Sequence, residues 1–269
     1  MMLKTLQLSD PYGTVAYREQ GQGAPIVLIH GVGMQSAAWG PQIKGLSKRH
    51  RVIALDMPGH GGSSPLPPQS DLPAFVAWLH AVLEGLALKG VSLAGHSMGA
   101  LLSAGYAATH PGKLARVALL NGVFRRDPAA RDAVIERADV IAQGEFDLQT
   151  PLARWFGESK VEQTARTSVA AWLSEVDRAS YATAYRAFAR GDATYADDFG
   201  RIDCPLLAIT GDGDPNSTAK MTKQMANAAP MGRSVVIKGH KHMVNLTAPE
   251  LVTETLLDWM ELEVAGAQA

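Results

Sequence analysis

Val91-Ser92-Leu93-Ala94-Gly95-His96-Ser97-Met98-Gly99-Ala100 is the stretch that decides the fold. An apolar, β-rich run leads into Gly-x-Ser-x-Gly, and small residues follow it at Gly99, Ala100, Ser103, Ala104, Gly105, Ala107 and Ala108. The pattern predicts a strand, a tight turn with serine at its tip, and a helix lying close to the sheet. Side chains two residues either side of Ser97 would collide in such a turn, which is why Gly95 and Gly99 stand there. The turn pushes the Ser97 hydroxyl out at the strand's carboxyl end. The helix aims its partly positive N-terminus at the same spot.

Outward from this stretch, short apolar runs alternate with longer helical patterns. Strands are predicted at 26–29, 51–56, 91–95, 117–120, 206–210 and 234–238, and helices at 38–48, 71–87, 98–110, 217–228 and 248–264. Continuous apolar strands belong in a sheet covered on both faces, so the alternation predicts an α/β fold with a mostly parallel sheet and helices on both sides. Two earlier runs, near 3–8 and 13–19, add a hairpin around Pro11-Tyr12-Gly13, for roughly eight strands in all. The alternation breaks between 122 and 200, where the pattern turns helical. Residues 1–121 and 201–269 are therefore expected to form the core, and 122–200 a helical cap inserted after the sixth strand. This segment holds ten of the chain's seventeen aromatic residues, some of them expected to face a pocket and others to glue the cap helices together.

A serine hydroxyl is a weak nucleophile until a base takes its proton, and the base needs an orienting carboxylate. Of eight histidines, His242 is chosen over His240 in Gly239-His240-Lys241-His242-Met243, the loop after the last strand and ahead of Pro249. A His-x-His metal site is set aside because no third ligand cluster is nearby. For the acid, Gly211-Asp212-Gly213-Asp214 ends the strand at 206–210; Asp214 is chosen, with Asp212 capping the turn backbone. The stretch is no calcium loop, since Ser217 replaces the turn glycine and Lys223 the bidentate Glu. The end of the preceding strand offers no acid, for it carries Asn121. Attack on a carbonyl creates an oxyanion that needs two backbone donors. These are expected from Met98 and from Val32 in His30-Gly31-Val32-Gly33-Met34, where Gly31 and Gly33 let the backbone approach a ligand. That loop lacks the Gly-Lys-Ser/Thr ending of a phosphate loop. Acyl transfer of this kind requires no cofactor and no metal.

These motifs, with Asp56-Met57-Pro58-Gly59-His60-Gly61-Gly62-Ser63, fall in an order that resembles the α/β-hydrolase superfamily from about residue 12 to 262. Within it, Leu152-Ala153-Arg154-Trp155-Phe156 with Tyr181 and Asp192 is most similar to the 3-oxoadipate enol-lactonase and small carboxylesterase group, although Ala100 stands where that group usually has a second glycine. Ser97 separates the chain from haloalkane dehalogenases and epoxide hydrolases, whose nucleophile is a carboxylate. Met243 counts against the meta-cleavage hydrolases, which often carry Trp there. The resemblance implies a serine hydrolase that cleaves a small carboxylic ester or lactone through an acyl-enzyme. A C–C or amide hydrolase or lyase with the same triad, or a slow ligand-binding member of the fold, are the alternatives. Gly31, Gly33, His96, Arg125, Arg154, Trp155 and Met243 are the expected substrate contacts. Arg125, Arg126 and Arg154 are candidates to meet a substrate carboxylate.

Composition narrows the partners. The chain has 269 residues, formal net charge −1 and 46% hydrophobic residues, enough for one core burying roughly 75% of the surface its unfolded form exposes. Near-zero charge without a basic stripe leaves no footprint for nucleic acid or an anionic membrane, so the expected partner is a small molecule. The single cysteine, Cys204, cannot form an internal disulfide and reads as a buried strand residue. The opening residues lack a secretory pattern, and no run reaches the roughly 20 apolar residues of a membrane span, so a cytoplasmic location is expected.

Overall fold

The computed structural model describes residues 2–262. Its eight strands are β1 (Leu3–Gln7), β2 (Thr14–Gln20), β3 (Pro25–Ile29), β4 (Arg51–Leu55), β5 (Val91–His96), β6 (Leu114–Leu120), β7 (Leu206–Gly211) and β8 (Gly232–Ile237). They form one sheet in the order β1-β2-β4-β3-β5-β6-β7-β8. The first two strands form the expected hairpin and pair antiparallel, while β3 to β8 run parallel. Every residue of the central β5 and of β7 is buried, as continuous apolar strands in a doubly covered sheet must be.

The period of two along each strand divides the core between the two faces. On β3, Val27 and Ile29 join Phe75, Trp78 and Tyr106, contributed by α2 (Leu72–Gly85) and α3 (Met98–Thr109). Ile26 and Leu28 point the other way and join Trp39, Ile43 and Trp259, covered by α1 (Gly40–Leu46) and α10 (Pro249–Met260). Between β6 and β7 the chain forms α4 (Pro128–Ala142), α5 (Gln149–Trp155), α6 (Lys160–Glu175) and α7 (Arg178–Arg190); α8 (Ala219–Ala228) and α9 (Val244–Thr247) complete the set. Local sequence starts these helices. Asp71, Asp127, Asp177 and Thr218 each accept a backbone N–H at the N-cap, and Ser159 with Glu162 closes a capping box.

A buried carboxylate joins the two ends of the segment between β6 and β7. Asp192, just after α7, lies 3.4 Å from the Arg126 guanidinium and 3.0 Å from that of Arg131, and accepts the Arg126 backbone N–H at 2.7 Å.

Several boundaries differ from the sequence reading. Cys204 is buried but precedes β7, because Pro205 has no N–H to give and the ladder starts at Leu206; burial pushes its thiol up to about 12. The helix expected at 38–48 splits into a 3-10 turn at Ser36–Trp39 and α1, with Pro41 in the first turn of the latter. The last helix ends at Met260; positions 263–264 of that expectation lie outside the described residues. No helix among the described residues is long and apolar enough to cross a membrane.

Candidate active site

Ser97 sits between β5 and α3 with φ 53° and ψ −112°, a conformation that side-chain-bearing residues rarely adopt. Its neighbours over-determine it. The Ser97 N–H donates to the Leu120 carbonyl at 2.8 Å. A Cβ on Gly95 would lie 1.9 Å from the Gly99 carbonyl oxygen, and one on Gly99 would lie 2.3 Å from that of Ile29. Both glycines are therefore obligatory, for the reason the sequence implied.

Asp214 and His242 meet. The His242 Nδ1–H donates to Asp214 Oδ2 at 2.8 Å, with both side chains almost wholly buried. That bond fixes the tautomer and leaves Nε2 as the ring's basic nitrogen. Three further donors hold the carboxylate: Asn216 N at 2.8 Å and Ser217 N at 3.1 Å on Oδ1, and Asn121 Nδ2 at 2.8 Å on Oδ2. Burial alone would raise the Asp214 carboxyl, but the His242 ring and these donors outweigh it and hold the group below the usual carboxylate range. Asp212 does cap the turn, by accepting the Gly239 N–H at 2.8 Å. His240 instead faces Thr247 Oγ1 at 3.0 Å.

Ser97 and His242 line one cavity, but among the described residues no hydrogen bond of 3.5 Å or less joins the hydroxyl to the imidazole. Such approaches lengthen in resting enzymes and tighten around substrate. The Val32 and Met98 N–H groups make no backbone hydrogen bond among the described residues, so both remain available as donors. The loop carrying Val32 is pinned by two histidines. The Met57 N–H donates to His30 Nε2, and His30 Nδ1–H donates to the Gly31 carbonyl at 2.7 Å. The Gly33 N–H donates to His60 Nε2 at 2.9 Å, and His60 Nδ1–H donates to the Pro58 carbonyl. Asp56 anchors the neighbouring turns through the Ser36 and Gly62 N–H groups.

The cavity measures about 630 Å³. Of the residues expected to contact substrate, Gly31, His96 and Met243 line it and, from the segment between β6 and β7, so do Arg154 and Trp155. Two expected contacts are corrected. Gly33 is not on the wall: its N–H is taken by His60, and a Cβ there would strike Leu173 and Tyr181 of the cap. Arg125 turns outward to pair with exposed Asp197, because its φ of 44° kinks the chain so that Arg126 points in. Of the cap aromatics, Phe146, Trp155, Tyr181, Tyr185 and Phe188 face the cavity, while Phe124 and Phe199 pack edge-on at 4.9 Å. Trp155 stacks on His242 with ring centroids 5.6 Å apart, and Lys241 Nζ donates to the Phe156 carbonyl at 2.9 Å, tying the end of α5 to the histidine loop.

His96 donates from Nε2 to the His242 carbonyl at 2.9 Å, and burial, with the neighbouring His242, drives its pKa down to about 3. Burial also lowers His30 and His60. A folded-state pKa below the unfolded value gives stability that is present above about pH 6.5 and is lost as pH falls toward the folded value. His96 alone is expected to cost about 2 kcal/mol of stability by pH 5. Urea unfolding at pH 7 and pH 5 checks this; an unchanged midpoint would contradict the burial of these rings as neutral groups.

A strained serine turn, a buried Asp–His pair and free backbone donors beneath a capped cavity are the equipment of a serine hydrolase, and this chain belongs to the alpha/beta hydrolase fold family, which matches it over residues 24–249. It is 52% identical over 261 residues to (E)-2-((N-methylformamido)methylene)succinate hydrolase of Acinetobacter baylyi, covering 97% of this chain and 99% of that protein. Two solved structures share the fold. The enol-lactonase of Burkholderia xenovorans superposes with a TM-score of 0.79 at 23% identity, covering 94% of this chain and 100% of that one. E-2-(acetamidomethylene)succinate hydrolase superposes with a TM-score of 0.77 at 19% identity, covering 97% and 99%. The chain is a hydrolase.

Proposed function

We propose that this hydrolase cleaves the amide bond of an N-acylated aminomethylene derivative of succinate, through an acyl-enzyme on Ser97. The observation that carries the reading is the 52% identity, over nearly the whole of both chains, to a relative named as the hydrolase of an N-acylated aminomethylene succinate; the amide is the bond of that compound that a serine acyl-transfer site would attack. The site supplies groups for each step. Ser97 Oγ attacks the amide carbonyl as His242 Nε2 takes its proton, and Asp214 holds the imidazolium in place. Val32 and Met98 N–H groups receive the oxyanion, each worth about 2.7–4 kcal/mol of barrier. Collapse breaks the C–N bond, and the His242 Nε2–H protonates the departing nitrogen. That nitrogen leaves as an enamine conjugated with a carboxylate-bearing double bond, a better leaving group than a simple amine. Water, deprotonated by His242, then releases the acid from Ser97. An ester or lactone would follow the same steps with an oxygen leaving group.

A substrate panel separates these readings. Wild-type enzyme is expected to turn over formamidomethylene- or acetamidomethylene-succinate with kcat/KM at least about a hundredfold above that for short-chain esters and lactones. Release of formate or acetate would be followed directly. Turnover confined to esters or lactones, or products of C–C scission with the amide intact, would overturn the assignment.

A further inference from the structure

Three guanidinium groups reach the cavity wall from the cap, those of Arg126, Arg137 and Arg154, and they are not equivalent. Arg126 is committed to the fold: its side chain is 4% exposed, paired with Asp192, donating to the Ala189 carbonyl at 3.2 Å and lying 4.6 Å over the Phe188 ring. Arg137 is half-buried on α4, and its one acidic partner among the described residues, Asp147, stands 3.9 Å away. Asp147 is itself occupied, accepting the Gln149 and Thr150 N–H groups that begin α5. Arg154, in the last turn of α5, makes no ion pair or hydrogen bond among the described residues. The wall's carboxylates, Asp127, Glu136, Glu145 and Asp147, all belong to exposed residues, and Asp127 is held at the α4 N-cap.

Tyr185 shares this wall and its hydroxyl makes no hydrogen bond among the described residues. Burial pushes the phenol up, while Arg137, Arg126 and Arg154 all pull it down, so three positive fields overlap at this one hydroxyl. Arg154 is an exposed residue of this wall without a partner among the described residues, and Arg137 a half-buried one with only the 3.9 Å contact to Asp147; a planar guanidinium so weakly engaged is matched by a carboxylate, which accepts two parallel N–H bonds from it. We propose that Arg137 and Arg154, with the Tyr185 hydroxyl, form a carboxylate-binding subsite that selects dianionic substrates and turns their acyl group toward Ser97. The acyl chemistry rests on the function proposed above; the anion site does not.

The test uses a neutral ester, p-nitrophenyl acetate, with succinate as inhibitor. Succinate is expected to compete in the wild type and its neutral dimethyl ester to compete far more weakly. Arg137→Met and Arg154→Met are each expected to weaken succinate inhibition by about tenfold, read as the ratio of the succinate Ki to the ester KM of the same variant. Arg154→Lys restores part of the effect, since charge survives but the fork does not. Where ester turnover is too slow, succinate protection of Ser97 against a fluorophosphonate gives the same readout. Succinate inhibition that is absent, or equal in all variants, overturns the subsite. Amide turnover with unaltered KM in both variants would remove the subsite and keep the amide reading; inert amides with succinate inhibition lost in the variants would do the reverse.

Discussion

Ser97→Ala is expected to lower kcat on the amide substrate by about 10⁴-fold or more, with KM little changed and the unfolding midpoint close to wild type. The Ser97 hydroxyl makes no hydrogen bond among the described residues, so under the proposed acyl-enzyme route its loss removes the covalent path and leaves binding intact. Alanine accepts the same backbone strain at φ 53° as serine, and the glycines that permit the turn are untouched. His242→Ala is expected to cost a similar factor, and the double variant hardly more, because nucleophile and base act as one unit. Asp214→Asn is a milder lesion that turns the imidazole to the wrong tautomer. Steady-state kinetics and fluorophosphonate labelling check the set. A Ser97→Ala enzyme retaining a tenth of wild-type kcat, or still labelled, removes the nucleophile from residue 97.

The parts of this site that were legible in the sequence are those whose cause is local. A strand-to-helix turn with no room for a side chain demands Gly95 and Gly99 by itself, and loops that follow strands put Asp214 and His242 on the sheet's carboxyl edge. What stayed hidden depends on partners far along the chain. Asn121, read only as the absence of an acid, donates to Asp214 across 93 positions. His30 and His60 brace the loop that carries Val32 through Met57 and Gly33, each 27 positions away. No spacing announces such bonds. Arg125 and Arg126 are chemically identical neighbours, and only the left-handed backbone at Arg125 decides which enters the cavity. Arg137 did leave a signal: it shares a helical face with Ala130, Val134 and Ile141, all on the cavity wall, and a cation at that spacing marks a group facing something polar.

Asp192→Ala should be the most destabilising single change in the cap, at about 3–5 kcal/mol. The carboxylate is 0% exposed and the facing Arg126 side chain 4% exposed. Burial already pulls the Arg126 guanidinium down, and Asp192 is the first of the groups opposing that pull. Removing the carboxylate strands a buried cation and frees the Arg126 backbone N–H at the point where the inserted segment leaves β6. Asp192→Asn keeps an acceptor for that N–H and should recover part of the loss. The discriminating measurement is a double-mutant cycle by urea unfolding. Adding Arg126→Met to Asp192→Ala removes the stranded charge, so the pair should be more stable than Asp192→Ala alone, a sign opposite to simple additivity. Additive losses would mean that the pair is not electrostatically coupled and that Asp192 acts only through its backbone bonds. Loss of cap packing should also reach catalysis: Arg126 stacks on Phe188, a cavity residue, and Trp155 rests on His242. Loosening the segment between β6 and β7 is therefore expected to raise KM before it lowers kcat, because that wall of the cavity shifts while Ser97, Asp214 and His242, carried at the ends of β5 and β7 and in the loop after β8, stay in place.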